Sequence, residues 1–126
     1  MTRSPGHQQQ PDHKVVQKHL QQRMQVSIGD DLIADSNDVI RVDEDGAPPR
    51  YYFPRADVQM ERLTRSDTTT RCPFKGTAHY FSLNAAGQRL EDAVWSYEEP
   101  YEEHSGLQYR LAFYDDKMPQ IEVRRA

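Results

Sequence analysis

The chain has one cysteine, Cys72, no run of apolar residues approaching the roughly 20 needed to cross a bilayer, and no excess of positive charge. Each shortage excludes something. A single thiol cannot close an internal disulfide, and it cannot supply the several thiolates of a Cys-rich structural zinc site. The amino-terminal M-T-R-S-P-G-H-Q-Q-Q-P lacks the apolar segment of a secretory signal, so a soluble protein in the reducing cytoplasm is expected. Sixteen Lys and Arg against twenty Asp and Glu give a net charge of −4, which offers no general field for nucleic acid or an anionic membrane. Internal repeats and the alternation of strands with helices that marks a parallel sheet are also missing.

What is present fits one small domain. The 126 residues can bury a single core, and 36% hydrophobic with 29% charged residues points to a modest core under a well-solvated surface. Residues 1–11, rich in Gln with Pro5, Gly6 and Pro11, read as a disordered tail, leaving 12–126 as the folded domain. In residues 13–24 Val16, Leu20 and Met24 recur every four residues, with Asp12 as a possible N-cap, a pattern that predicts a short amphipathic helix.

After Met24 the period changes to two. M-Q-V-S-I and L-I-A-D-S flank a turn at Gly29–Asp31, a hairpin signal, and Val39, Ile40 and Val42 extend the pattern. An acidic turn at 43–46 and Pro48–Pro49 precede the aromatic run Tyr51–Phe53, which Pro54 ends. R-A-D-V-Q-M-E-R-L is suited to one short helical turn, and the threonines of T-R-S-D-T-T-T-R favour extended chain up to Cys72. Alternation returns at 78–83, in A-V-W-S-Y beyond Gly87, around Leu111–Phe113, and in I-E-V-R. The expectation is a mainly β, small single-domain antiparallel fold, closed or nearly so, with at most one or two short helices.

The chemistry concentrates in C-P-F-K-G-T-A-H-Y, Cys72 to Tyr80. A thiolate at Cys72, favoured by Lys75 across a proline-set turn, would be a nucleophile and the one candidate catalytic residue; a buried apolar cysteine is the alternative. Lys75 beside Gly76 can present an ammonium and a backbone N–H to one anion, or simply form a solvated turn. Cys72 and His79, seven apart, match no standard metal spacing, so neither a metal nor a cofactor is expected. Twelve aromatics (one Trp, seven Tyr, four Phe) exceed what a small core obviously needs. Phe53, Phe81 and Phe113 read as core, whereas Trp95 and Tyr97, two apart on one strand face, are candidates for a pocket wall. The paired acids at 30–31, 43 and 45, 98–99, 102–103 and 115–116 read as turn formers; Asp35 and Ser36, ending an apolar strand, can cap a turn or face a cavity.

The order A-D-S (34–36), Y-F-P (52–54), C-P-F-K-G-T-A-H-Y, W-S-Y-E-E-P (95–100) and A-F-Y (112–114) resembles the DUF427 family over about residues 12–124. The family's signature falls on Tyr52, Phe53, Pro54, Cys72, Pro73, Lys75, Gly76, Tyr80, Trp95, Tyr97, Pro100, Phe113 and Tyr114, and all of these match; His79 departs from it. The resemblance implies a compact β-tent-like fold and an extended first segment, against the helical composition of 13–24. Some classifications label the family nucleotidyltransferase, although paired magnesium-holding acids and a Gly-rich phosphate cradle are not evident here.

Taken together, these readings lead to an aromatic-lined pocket for a small polar or anionic metabolite, with Tyr52, Tyr80, Trp95 and Tyr97 as walls and Lys75 and Asp35 supplying charge. The rivals are an enzyme, through nucleotidyl transfer or thiol chemistry at Cys72, and a protein interaction module with a large exposed apolar patch. A monomer or homodimer is expected.

Overall fold

The computed structural model describes residues 3–126; Met1 and Thr2 lie outside the described residues. Ten strands form three antiparallel sheets, and strand accounts for 52% of residues, so the chain is mainly β as expected. One sheet has the order β1-β4-β5, made of β1 (Val15–His19), β4 (Ile40–Glu44) and β5 (Arg50–Tyr52). A second has the order β10-β2-β3, made of β2 (Met24–Ile28), β3 (Asp31–Ser36) and β10 (Ile121–Arg125). The third, β6-β7-β8-β9, contains the long strands β6 (Leu63–Cys72), β7 (Gly76–Ala85) and β8 (Gln88–Tyr97) and the short β9 (Leu111–Phe113).

Strand alternation gives the third sheet two working faces. Phe81 and Leu83 of β7, with Val94 and Phe113, join Val26, Ile28 and Ile33 in the larger apolar core. Ala78 and Tyr80 of the same strand, with Trp95, Tyr97 and Ala112, pack with Ile40, Val42 and Tyr52 in a second core. The second core is where the aromatics collect.

The turns follow the residues that permit them. Gly29 (φ 57°) opens the two-residue turn between β2 and β3, and Ala86 (φ 50°) with Gly87 (φ 72°) reverses the chain between β7 and β8. Where one helical turn was expected after Pro54, there are two 3-10 turns, Arg55–Asp57 and Met60–Arg62. Among the described residues, no helix is long and apolar enough to cross a membrane.

Two expectations fail at the amino terminus. Residues 13–24 are not a helix: Val15–His19 pairs with β4 from Val15↔Glu44 to His19↔Ile40, and Asp12 caps nothing helical. The apparent apolar stripe is broken, because Val16 is 54% exposed while Met24 is buried. Pairing with β4 outweighs local helix preference, which is small per residue. The segment 1–11, expected to be disordered, contains the helix α1 (Pro5–Gln9) docked on the body. Apolar burial is not what orders it. Ser4 caps the helix by accepting from the His7 N–H, its hydroxyl donates to the Pro73 carbonyl at 2.6 Å, and the Gly6 N–H donates to the same carbonyl at 2.7 Å.

Candidate functional site

The loop Pro73–Lys75 joins β6 to β7 and is closed by the pair Cys72↔Gly76. Gly76 sits at φ 117°, and a Cβ there would meet the Glu99 carbonyl at 3.2 Å, so glycine is required on both counts. The Lys75 carbonyl accepts from the Tyr101 N–H at 3.0 Å, tying the loop to the chain beyond β8. Phe74 is buried against the rings of His13, stacked at 4.3 Å, and His7, edge-on at 5.0 Å. Proline, phenylalanine and glycine thus fix the direction in which Lys75 and Cys72 face.

They face a cavity of about 240 Å³ between the β1-β4-β5 sheet and the aromatic side of the third sheet. Its lining includes Cys72, Lys75, Tyr52, Tyr80, Trp95 and Tyr97, six of the seven residues selected from the sequence. Strand register explains the convergence: Tyr80 lies opposite Trp95, and Ala78 opposite Tyr97, so a small residue leaves room beside a large one. The rings brace one another. Tyr52 meets Trp95 edge-on at 6.2 Å, the Trp95 indole N–H donates to the Tyr52 hydroxyl at 3.2 Å, and Trp95 packs on Tyr114 at 4.2 Å. Tyr80 stacks with Tyr114 at 6.1 Å, and its hydroxyl bonds both Thr70 Oγ1 at 2.9 Å and the Tyr114 hydroxyl at 3.0 Å.

Asp35 does not belong to this site. Its carboxylate takes the guanidinium of Arg23 through bonds of 2.7 and 2.5 Å on the outer face of β3, which holds its pKa below the usual range. Ala34 and Ser36 are buried, so alternation turns Asp35 the other way. His79, likewise, points to the opposite side of β7 from Tyr80, 3.9 Å from Glu98.

Several lining residues were not selected from the sequence: Glu44, Arg50, Thr70 and Tyr114. Glu44 takes the Lys75 ammonium on Oε1 and His13 Nε2 on Oε2 at 3.1 Å. Burial opposes its ionisation, but these two partners outweigh burial and hold the carboxyl below its ordinary range. Lys75, only 6% exposed, is therefore a buried cation already paired. Arg50 lies over Trp95 at 5.0 Å and Tyr114 at 5.2 Å, and it bonds Asp116, which is not part of the lining, at 2.6 Å.

The tyrosines are kept as neutral donors. Burial pushes the Tyr52 and Tyr97 hydroxyls far up, with the neighbouring Tyr52, Cys72, Tyr80 and Glu44 adding to the effect at Tyr97; burial and the bond to Tyr80 do the same for Tyr114. Of these, the Tyr97 hydroxyl stands apart. Tyr97 is only 6% exposed and lines the cavity, yet its hydroxyl bonds no protein group among the described residues. Among those residues, no three His, Cys, Asp or Glu side chains converge as a metal-holding group.

The family model described as a domain of unknown function (DUF427) matches residues 16–124, most of the chain. The chain belongs to that family. No curated protein matches it.

Proposed function

We propose that the chain is a binding module for a small organic anion, a compact carboxylate or similar metabolite, held in the cavity bounded by Tyr52, Tyr80, Trp95 and Tyr97. The carrying observation is the Tyr97 hydroxyl, a donor without a protein partner among the described residues, on the wall of a cavity that also holds Arg50 and Lys75. Such a donor lacks a full set of hydrogen bonds until a ligand or water accepts from it. Within the lining Glu44 balances Lys75, and Arg50, stacked on aromatic faces and paired with Asp116 outside the lining, is the cation left to meet a guest. The volume supports a small guest, since about 240 Å³ lies just below the roughly 300–1,000 Å³ of sites for drug-sized ligands. A nucleoside triphosphate needs far more enclosed space, and the metal-holding acids of phosphoryl transfer have no counterpart among the described residues. The nucleotidyltransferase reading of the family therefore draws no support from this cavity.

The thiol reading has one observation in its favour, because Cys72 lines the same cavity. Against it, Lys75 is engaged by Glu44 and no histidine lines the cavity to serve as base. Nothing favours the interaction-module reading. Among the described residues the exposed large apolar side chains are Val16 on β1, Leu32 on β3 and Tyr109 on the loop before β9, three separate segments of the chain.

A thermal-shift screen of the full chain against a library of small carboxylates and other anions tests the proposal. Hits should raise the melting temperature of the wild type and of Cys72→Ala but lose most of the shift in Tyr97→Phe and in Arg50→Met. A library that shifts nothing, or shifts that survive both pocket variants, sinks the binding reading. Loss of every effect in Cys72→Ala alone, together with rapid alkylation of the thiol near neutral pH, would instead favour thiol chemistry.

A further inference from the structure

A second concave surface lies away from the aromatic cavity, and its charge is out of keeping with the chain's net −4. On the outer face of the β1-β4-β5 sheet, register sets Lys18 directly opposite Arg41 and Arg41 directly opposite Tyr51. Like charges in such cross-strand positions cost stability unless something negative lies between or beside them. Across a groove of about 460 Å³ stand Arg124 and Arg125 of β10, whose end is pinned where the Ala126 N–H donates to the Arg23 carbonyl at 3.0 Å.

Compensation is sparse here. Asp43, the one acid on the lining, takes Arg41 at 3.0 Å. Arg124 bonds only the neutral Ser27 and Gln25 side chains, at 2.5 and 3.3 Å. Lys18, Arg124 and Arg125 make no ion pair among the described residues. His19, also on the lining, is committed to Asp38 at 2.5 Å. The lining also carries apolar groups, Leu20, Met24, Val123 and the ring of Tyr51, beside Gln21 and Gln22.

We propose that this groove is a second ligand site, for a small molecule that carries two linked phosphate groups on an apolar or ring-shaped body. Lys18, Arg41 and Arg125 take the phosphates, and Leu20, Tyr51 and Val123 take the body. Charge decides the class: four cations facing a single carboxylate are poorly matched by a monocarboxylate, while a diphosphate brings several negative charges and oxygens spaced for guanidinium forks. The groove also has nearly twice the volume of the aromatic cavity, enough to admit such a molecule.

Isothermal titration of the full chain with inorganic pyrophosphate tests this, at low and at physiological ionic strength. Saturable binding that weakens with salt is expected for the wild type, with affinity falling about tenfold or more in the double variant Lys18→Gln, Arg125→Gln. These side chains are exposed and the variant relieves the Lys18–Arg41 repulsion, so it should melt no lower than the wild type, and circular dichroism confirms that it folds. Tyr97→Phe, in the other cavity, should bind pyrophosphate as the wild type does. Absence of saturable binding to the wild type, unchanged affinity in the double variant, or loss in Tyr97→Phe alone would each overturn the assignment. So would binding of a DNA oligonucleotide far tighter than pyrophosphate that the double variant abolishes, because the groove would then serve a polymer.

Discussion

The Trp95 indole N–H donates to the Tyr52 hydroxyl at 3.2 Å, joining the third sheet to the β1-β4-β5 sheet through the wall of the cavity. Both groups are buried, so removing one leaves the other unsatisfied. Tyr52→Phe should lower unfolding free energy by about 1–3 kcal/mol in urea titrations without changing the slope. Because Trp95 is the only tryptophan in the chain, its fluorescence should also respond to a ligand entering the cavity.

Gly76 and Gly87 make a matched pair for testing the loop. Both have positive φ, but a Cβ at Gly87 meets open space while one at Gly76 meets the Glu99 carbonyl. Gly87→Ala should cost about 1 kcal/mol and Gly76→Ala more, about 2–3 kcal/mol, with chemical shifts of Lys75 and Tyr101 moving only in the latter. Equal costs at the two positions would show that the close approach to Glu99 is not important.

Two acid transitions should be separable. Burial pushes His104 down to about 4 from the ordinary 6.5, so the unfolded chain binds the extra proton first as pH falls. Stability from this group is complete above about 6.5 and declines between 6.5 and 4. The side-chain bonds from Arg65 and Arg55 hold Glu98 down at about 2 against an ordinary 4.5, so its contribution declines from 4.5 towards 2. Melting temperatures of His104→Asn should lose the upper step and keep the lower one; Glu98→Gln should keep the upper step and shrink the lower one, to which Asp35 and Glu44 also contribute.

The docked amino terminus gives a fourth test. A Cβ on Gly6 would lie 2.7 Å from both the Pro73 carbonyl and the Phe74 ring. Gly6→Ala should detach α1 and speed amide hydrogen exchange at Lys75 and Gly76, leaving β2 and β3 protected. Unchanged exchange in the Pro73–Gly76 loop would mean that the helix rests on the loop without supporting it.

Much of this site was legible because strand period carries it. Trp95 and Tyr97, two apart, do share a face, and the Cys72–Gly76 turn does orient Lys75. The same period also ran through residues that were passed over: Ile40, Val42 and Glu44 continue one face of β4, and Arg50 and Tyr52 one face of β5. Turn-like acidic composition around Asp43–Gly46 masked Glu44. Asp35 was misplaced for the opposite reason, since its apolar surroundings suggested a cavity while alternation with buried Ala34 and Ser36 sends it outward to Arg23. The strand at 15–19 and the docked tail were beyond local reading. One depends on pairing with β4, more than twenty residues away, and the other on Pro73, nearly seventy away.

The two cores on opposite faces of the third sheet have a consequence for how sequences of this fold can vary. Substitutions around Val26, Ile33, Leu83 and Phe113 reach the cavity through the backbone of β7 and β8 and through the neighbours Tyr52–Phe53 and Phe113–Tyr114, so the residues farthest from those links can drift in packing while recognition stays fixed. The aromatic side has no such freedom, because there the residues that hold the sheets together are the same ones a guest would touch.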